Sequence, residues 1–518
     1  MCRRRGITRI VTVRVLVRLL AVPLVLFAAF VAVIGGLAVH AWTTRAVDTT
    51  GRVAFDTPLR IPPVETGTVD ADGTRVFDLT MQRGTSDLGH GPGTRTWGVN
   101  GDHLGPTLRA ERGEKVRVNV TNALGETSSM HWHGMRLPAA MDGGPHQPIE
   151  PDTTWSPYWT VDQPAATLWY HPHLHGSTAA HVYRGVAGMF LVDEPGAPPL
   201  PHDYGVDDVP VIVQDKRFDG DQFAEDDAMF SDVGLLGDEI LVNGTPRPFL
   251  EVGTEAVRLR VLNASNARVY DFSFDTGMPF LLVGSDGGLL EQPRPIRSIQ
   301  LSPGERAEIV VRPEPGSRHV LRSTPPDLRS DFWQDRFSGG DDRIDVLELR
   351  VAADLAPSPA IPEQLTTLPE LGDPTGTREV ELTSSSTIDG REMDMSRIDQ
   401  VVVAGSTELW EVRNASGTIH NFHIHDTQFE IVDVTGMHPD HPSLAGRKDT
   451  VFLPPGATAR LLVPFGRHPD PQMPYMYHCH LLKHEDNGMM GQFVVVGAEH
   501  IDEVTGTVGT DHHAHSGG

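Results

Sequence analysis

Pairs of histidines one residue apart recur in this chain, four of them at His131/His133, His171/His173, His423/His425 and His478/His480. Residues i and i+2 share a face only in extended backbone, where successive side chains alternate. Each pair therefore aims two imidazoles at one place only from a strand. Eight imidazoles from four strands are too many for one ion and suit a cluster of several. The strands lie far apart in sequence, so the fold has to bring distant β segments to one point.

The rest of the chain agrees with a β fold. Alternating apolar and polar runs recur at 115–120 (KVRVNV), 257–261 (VRLRV) and 459–463 (ARLLV), with almost no long amphipathic helical pattern beyond residue 50. The 52 glycines and 41 prolines, about 18% of 518 residues, cluster with Asn and Asp between such runs. A weak internal repeat links 107–122 (TLRAERGEKVRVNVTN), 249–263 (FLEVGTEAVRLRVLN) and 407–414 (TELWEVRN). A second links 301–311 (LSPGERAEIVV) with 453–463 (LPPGATARLLV). Three related β-sandwiches in tandem are expected: 50–198, 202–355 and 378–500. A Pro-rich break falls at 195–201, a linker at 356–377, and a His-containing tail at 501–518.

The N-terminus reads as an address. Six arginines at positions 3, 4, 5, 9, 14 and 18 precede an uncharged run from 19 to 39, long enough as a helix to cross a bilayer core. Residues 1–45 are expected to be a basic end plus a signal or membrane anchor. Cleavage after Ala41 is the alternative to an uncleaved anchor, and the arginines at 3–5 match a twin-arginine signal poorly. Either way the positive-inside rule leaves the remainder outside the cytoplasm. Net charge is −26, and the first fifty residues carry seven Arg and one Asp, so removing their +6 leaves −32 for the rest. So acidic a body repels phosphate and excludes nucleic acid as a partner.

Only two cysteines are present, Cys2 and Cys479, so the region beyond residue 50 has no internal disulfide. Cys479 stands between His478 and His480. In a strand its thiol faces away from both imidazoles, so one face feeds a thiolate site and the other a histidine-only site. His484 follows at +5 and Met489 at +10, and His420 is available upstream. One Cys, two His and a weak axial Met form the ligand set of a blue-copper site, whereas zinc prefers a closed tetrahedral site without the thioether.

At these residues the chain resembles the multicopper oxidases. The match runs through HWHG at 131–134, HPHLHG at 171–176 with GVAGMFLVDE at 185–194, HNFHIH at 420–425 and HCHLLKHEDNGM at 478–489, in family order. It looks closest to the bacterial three-domain branch of laccase-like, bilirubin-oxidase-like and copper-efflux-oxidase-like enzymes. The resemblance implies an all-β chain of three tandem cupredoxin-like Greek-key β-sandwich domains behind an N-terminal hydrophobic helix. It also implies four copper ions. Type 1 copper would take His420, Cys479, His484 and axial Met489; type 2 would take His131 and His423. One type 3 ion would take His133, His171 and His480, and the other His173, His425 and His478. The middle domain carries no copper motif and is expected to be a spacer. Glu485 and Asp142 match family acids that supply protons, which four-electron reduction of dioxygen to water requires.

The implied activity couples one-electron oxidation of phenols or aromatic amines, at an open apolar groove near His484, to reduction of dioxygen. A metal-ion oxidase acting on Cu(I), Fe(II) or Mn(II) is the alternative. A dedicated cuprous oxidase is disfavoured, because 356–377 contains no Met and the loop 414–419 lacks both Met and Asp, leaving Met393 and Met395 as the nearest candidates. A two-domain nitrite reductase would not need eight paired histidines. A copper-binding envelope protein without catalysis is the non-enzymatic alternative. His175 and His181 fall outside the motifs and are expected to be structural, and His512, His513 and His515 in the tail would bind copper weakly if at all.

Overall fold

The computed structural model describes residues 5–91, 93–226, 231–504 and 506–508. Cys2, Arg3, Arg4 and the tail histidines His512, His513 and His515 lie outside the described residues. Arg5–Arg45 form one continuous helix of 41 residues. Its Val25–Arg45 portion is long and apolar enough to cross a membrane, and Phe27 and Phe30 are among its exposed side chains. Residues 1–47 form a unit of their own, and the chain from Asp48 onward forms the second.

The second unit contains three β-sandwiches. In the first, a sheet ordered Val64–Glu65, Thr107–Glu111, Gly188–Asp193, Ala166–His171, His131–His133 faces one built on Arg75–Ser86 and Lys115–Ala123. Phe77, Leu79, Val116, Val118 and Val120 from one sheet pack on Leu108, Trp132, Leu168 and Phe190 from the other. The middle sandwich pairs a seven-stranded with a six-stranded sheet, and the third has two five-stranded sheets closed over Trp410, Phe422, Leu461, Tyr477 and Phe493.

The sequence repeats are the corners of these sandwiches. Thr107–Glu111 and Lys115–Ala123 lie in different sheets, as do Pro248–Thr254 and Val257–Asn263, so the short turn between them carries the chain from one layer to the other. The second repeat does the same at Ser298–Leu301 to Arg306–Val311 and at Thr450–Leu453 to Thr458–Pro464. Alternation predicts burial where one face meets water: Lys115–Ala123 and Thr458–Pro464 bury every second residue. Val257–Asn263 departs from it and is buried throughout. There Arg260 bonds Asp208, Glu308 and, across the junction with the first sandwich, Thr167.

Two connecting stretches are more tightly placed than their composition suggests. Thr57–Pro58 pairs in parallel with Pro248–Thr254, so the chain after the helix joins the middle sandwich before it enters the first. The strandless stretch between Ala356 and Thr377 buries Leu365 against Leu200, Ala256, Val283 and Val310.

Candidate metal centres

Sheet register brings the histidine pairs together. His131–His133 lies antiparallel to Ala166–His171, with His131 opposite His171. His420–Ile424 lies antiparallel to Asp470–His478, with His423 opposite His478. The two strand pairs belong to the first and third sandwiches, and their imidazoles interleave. His131 stacks on His425 with ring centres 3.9 Å apart, and His133 stacks on His423 at 3.8 Å. His173, His425 and His478 converge through their Nε2 atoms, 3.1 and 3.3 Å apart. His480 packs 5.0 Å from His133 and 5.2 Å from His171, centre to centre. All eight rings are buried.

One nitrogen of most rings is engaged and the other is left facing the shared space. His131 Nδ1 bonds the Asp142 carbonyl, His171 Nδ1 that of Pro172 and His423 Nδ1 that of Asp449. His425 Nδ1 donates to the Asp142 carboxylate at 2.7 Å. His131 Nε2, His133 Nδ1, His171 Nε2, His423 Nε2 and both nitrogens of His480 have no protein partner although buried. Buried polar atoms are normally bonded, so this many converging unpartnered nitrogens fit a set of metal ligands oriented from behind. Burial, reinforced by neighbouring imidazoles, holds His133, His171, His173, His423, His425 and His478 well below the ordinary histidine range, and His480 down to about 3. Neutral rings are the form that binds metal.

The second centre lies on the other side of the same strand end. Cys479 Sγ is 3.5 Å from His420 Nδ1 and 3.5 Å from His484 Nδ1, and those two nitrogens are 3.1 Å apart. Their outer nitrogens are held by Ser416 Oγ at 2.8 Å and by the Asp232 carbonyl at 2.9 Å. Met489 is buried in the same core as Cys479, its backbone tied to His484 and Cys479. Burial pushes the Cys479 thiol up to about 12, so a cation must displace its proton to gain the thiolate. Because Cys479 separates His478 from His480, the two centres are one residue apart along the chain.

The two acids occupy different surroundings. Glu485 is fully buried, with its oxygens 3.4 Å from His173 Nδ1 and 3.4 Å from His478 Nδ1. Burial, then the charge of Asp486, pushes it well above the carboxylate range. Asp142 instead touches His131 and His425 directly. His181 is buried and bonded to Ser128 and Glu126, and His175 is exposed, so neither joins a centre.

Two expectations need correction. Phenols and aromatic amines need an open apolar groove near His484, but His484 is fully buried beneath the segment 231–237, whose Val233 and Leu236 pack into the core around Cys479. The middle sandwich was expected to be a spacer, yet it supplies that cover and sets Gly304 against the rings of His480 and His133. Asp232, Ser416, Asn421, Asp449 and Thr450 carry no motif in the sequence; all but Ser416, which holds His420 four residues away, act through a partner distant in sequence or through the backbone. The one sequence signal, and it points only to Asp449, is the charged pair Glu305–Arg306 in a repeat whose second copy has Ala457–Thr458.

Comparison with known proteins agrees with this geometry. A family model described as multicopper oxidase matches residues 80–197, and another of the same description matches 363–499. The chain is 34% identical over 433 residues to the multicopper oxidase mco of Staphylococcus aureus, covering 82% of this chain and 90% of that one. It is 35% identical over 450 residues to the cell division protein FtsP of Escherichia coli, covering 85% and 92%. A solved laccase from Pediococcus acidilactici superposes with a TM-score of 0.76 at 33% identity, over 85% of this chain and 94% of that one.

Proposed function

Because the chain belongs to the multicopper oxidase family, we propose that it oxidises small reductants, phenols and aromatic amines among them, one electron at a time and reduces dioxygen to water. The observation that carries this reading is the convergence of eight buried imidazoles one residue from a thiol that itself faces two more. In this reading His420, Cys479, His484 and Met489 hold the blue copper. His131 and His423 hold type 2, and His133, His171, His480 and His173, His425, His478 hold the type 3 pair. Copper bound there supplies the one-electron redox changes and the binding of dioxygen. The chain itself does the rest. Asp142 fixes the orientation of His131 and His425, and the buried Glu485 delivers protons to the face lined by His173 and His478. The apolar walls around both centres exclude water.

His484 itself is buried in this structure and offers no edge to a donor. A donor would instead meet the surface over Asp232, whose carbonyl accepts from His484 Nε2 while the residue itself is exposed. That exposed carboxylate, on a chain of net charge −26, supports a second reading in which the donor is a metal ion such as Fe(II), Mn(II) or Cu(I). The apolar helix at the N-terminus supports an extracytoplasmic body, anchored or released after cleavage.

The test is oxygen uptake by copper-loaded protein with a phenol, an aromatic amine, bilirubin, Fe(II), Mn(II) and Cu(I) supplied in turn. Uptake with the organic donors supports the first reading, and uptake confined to the metal ions supports the second. A blue protein that consumes no oxygen with any donor overturns both and leaves a copper-binding envelope role.

A further inference from the structure

The turn 302–306 of the middle sandwich reaches the histidine cluster with a charged group that no copper motif contains. Arg306 is fully buried, and all five of its N–H donors are taken. Nε donates to the Thr167 carbonyl at 3.0 Å, Nη1 to the Gly304 carbonyl at 3.0 Å and Nη2 to the Asp286 carbonyl at 2.9 Å. The remaining two form a fork on Asp449, at 2.7 and 2.6 Å. One guanidinium thus ties all three sandwiches together: Thr167 lies in the first, Asp286 and Gly304 in the middle, Asp449 in the third.

Asp449 passes this hold to the cluster. Its Oδ1 accepts from His133 Nε2 at 3.1 Å, and its carbonyl accepts from His423 Nδ1 at 2.8 Å. Thr450 Oγ1 lies 3.2 Å from His423 Nδ1 and 2.9 Å from Asp449 Oδ1. A charged guanidinium makes its fork partner an acceptor only, so the His133 proton sits on Nε2 and its lone pair on Nδ1. Nδ1 is the atom left unpartnered toward the cluster, the opposite of His131, His171 and His423. The surroundings leave no slack. Gly134, at φ +84°, closes the HWHG motif where a Cβ would come within 2.7 Å of both Arg306 Nη2 and Asp449 Oδ2. At Gly304, φ +86°, a Cβ would press on the rings of His480 and His133. Asn421 spans the remaining gap, donating to Ser302 Oγ and the Pro303 carbonyl while accepting from the His480 backbone.

We propose that Arg306 is a positioning residue for the histidine cluster, acting through Asp449 to fix the tautomer and orientation of His133 and the place of His423. Asp449 lies near enough to His133 and His423 to be counted with them as a possible ligand. The fork commits both of its oxygens to Arg306 and makes it an orienting group instead. A buried ion pair is a poor stability device, because desolvation offsets most of its attraction, and an orienting function accounts for one here. The inference rests on the copper-oxidase reading above and identifies what the middle sandwich does within it.

The experiment compares copper-loaded full-length wild type with Arg306→Lys, which keeps the charge and loses the fork, and Asp449→Asn, which keeps the shape and loses the charge. Affinities are read by chelator competition, followed at the blue absorption for the Cys479 centre and at the type 2 paramagnetic signal for the cluster. Outer partners of metal ligands are worth about 10- to 100-fold in affinity. Both variants should lose that much at the cluster, with a shifted type 2 hyperfine splitting, while the blue copper's affinity stays unchanged. Wild-type affinity and splitting in both variants overturn the proposal. A wild type that takes up no blue copper overturns the oxidase reading instead. Should the variants lose both centres together through misfolding, a crystal structure of copper-loaded wild type decides. His133 bound through Nδ1 with Nε2 on Asp449 upholds the clamp, and Asp449 turned away from His133 ends it.

Discussion

Two carboxyls beside the same cluster have opposite natures because their neighbours differ. Asp142 has a ring nitrogen at 2.7 Å to accept from, so it orients. Glu485 has no such close nitrogen, its oxygens lying 3.4 Å from His173 Nδ1 and His478 Nδ1, and burial pushes it well above the carboxylate range. Glu485→Gln retains the shape and removes the acid. Copper content and the blue band should be unchanged while kcat for oxygen reduction falls by about 10²- to 10⁴-fold, the usual worth of a positioned general acid. Stopped-flow reoxidation of the fully reduced protein checks this, and reoxidation at the wild-type rate would return Glu485 to the status of a buried bystander. Met489 supplies a different lever. A thioether donor stabilises the oxidised ion, so Met489→Leu should raise the reduction potential of the blue copper. Redox titration of the blue absorption measures it, and an unmoved potential would remove Met489 from the ligand set.

The element that covers His484 is neither a strand nor a copper motif. The segment 231–237 lies over His484, held at its far end where Gly237 bonds the buried Asp215–Arg268 pair. Replacing residues 231–236 with a shorter Gly-Ser loop should uncover the His484 edge and raise kcat/KM for bulky phenols relative to small ones. Oxygen uptake across a phenol series measures that ratio, and a constant ratio would show that donors already reach His484 by another route. The cover was not legible in the sequence, whereas the strands around it were. Period-two runs and His-x-His pairs are local patterns, and they place His131, His133 and His423 on strands as the structure does, whereas His173, His425 and His480 lie one or two residues past a strand end. Elements fixed by distant partners carry no such signal. The helix Thr178–Arg184 has no side-chain cap from Ser177, and Asp486, from the third sandwich, accepts the N–H groups of Thr178 and Ala179 instead. Arg258 and Arg260 alternate as a solvent-facing strand would, yet Glu308, Asp208 and Thr167 bury them.

Across the whole molecule the junctions between sandwiches are built from buried charge, and Lys216 shows what that does to stability. It ends the strand Asp208–Lys216 of the middle sandwich and is buried against Tyr183 of the first. Its Nζ donates to the Tyr183 carbonyl at 2.5 Å and lies 4.2 Å from the centre of that ring. Burial, only partly offset by Asp215 and Glu225, pulls its pKa down to about 7, against about 10.4 for a lysine in the unfolded chain. Between those values the unfolded chain holds a proton that the folded protein lacks, so unfolding takes up a proton and stability rises with pH. Below about 7 both states are protonated, and the folded state bears the whole cost of a buried ammonium. The shift sets an upper bound of about 5 kcal/mol on that cost. Lys216→Met removes the group while keeping a long apolar stem at the junction. The melting temperature of wild type should therefore rise relative to the variant as pH goes from about 7 to about 10, and other titrating groups cancel in the difference. The midpoint difference is the quantity to follow, because a chain of several sandwiches need not unfold in two states. A difference that stays flat over this range would mean that the carbonyl and the aromatic rings fully compensate the charge, and that this junction tolerates an ammonium without loss.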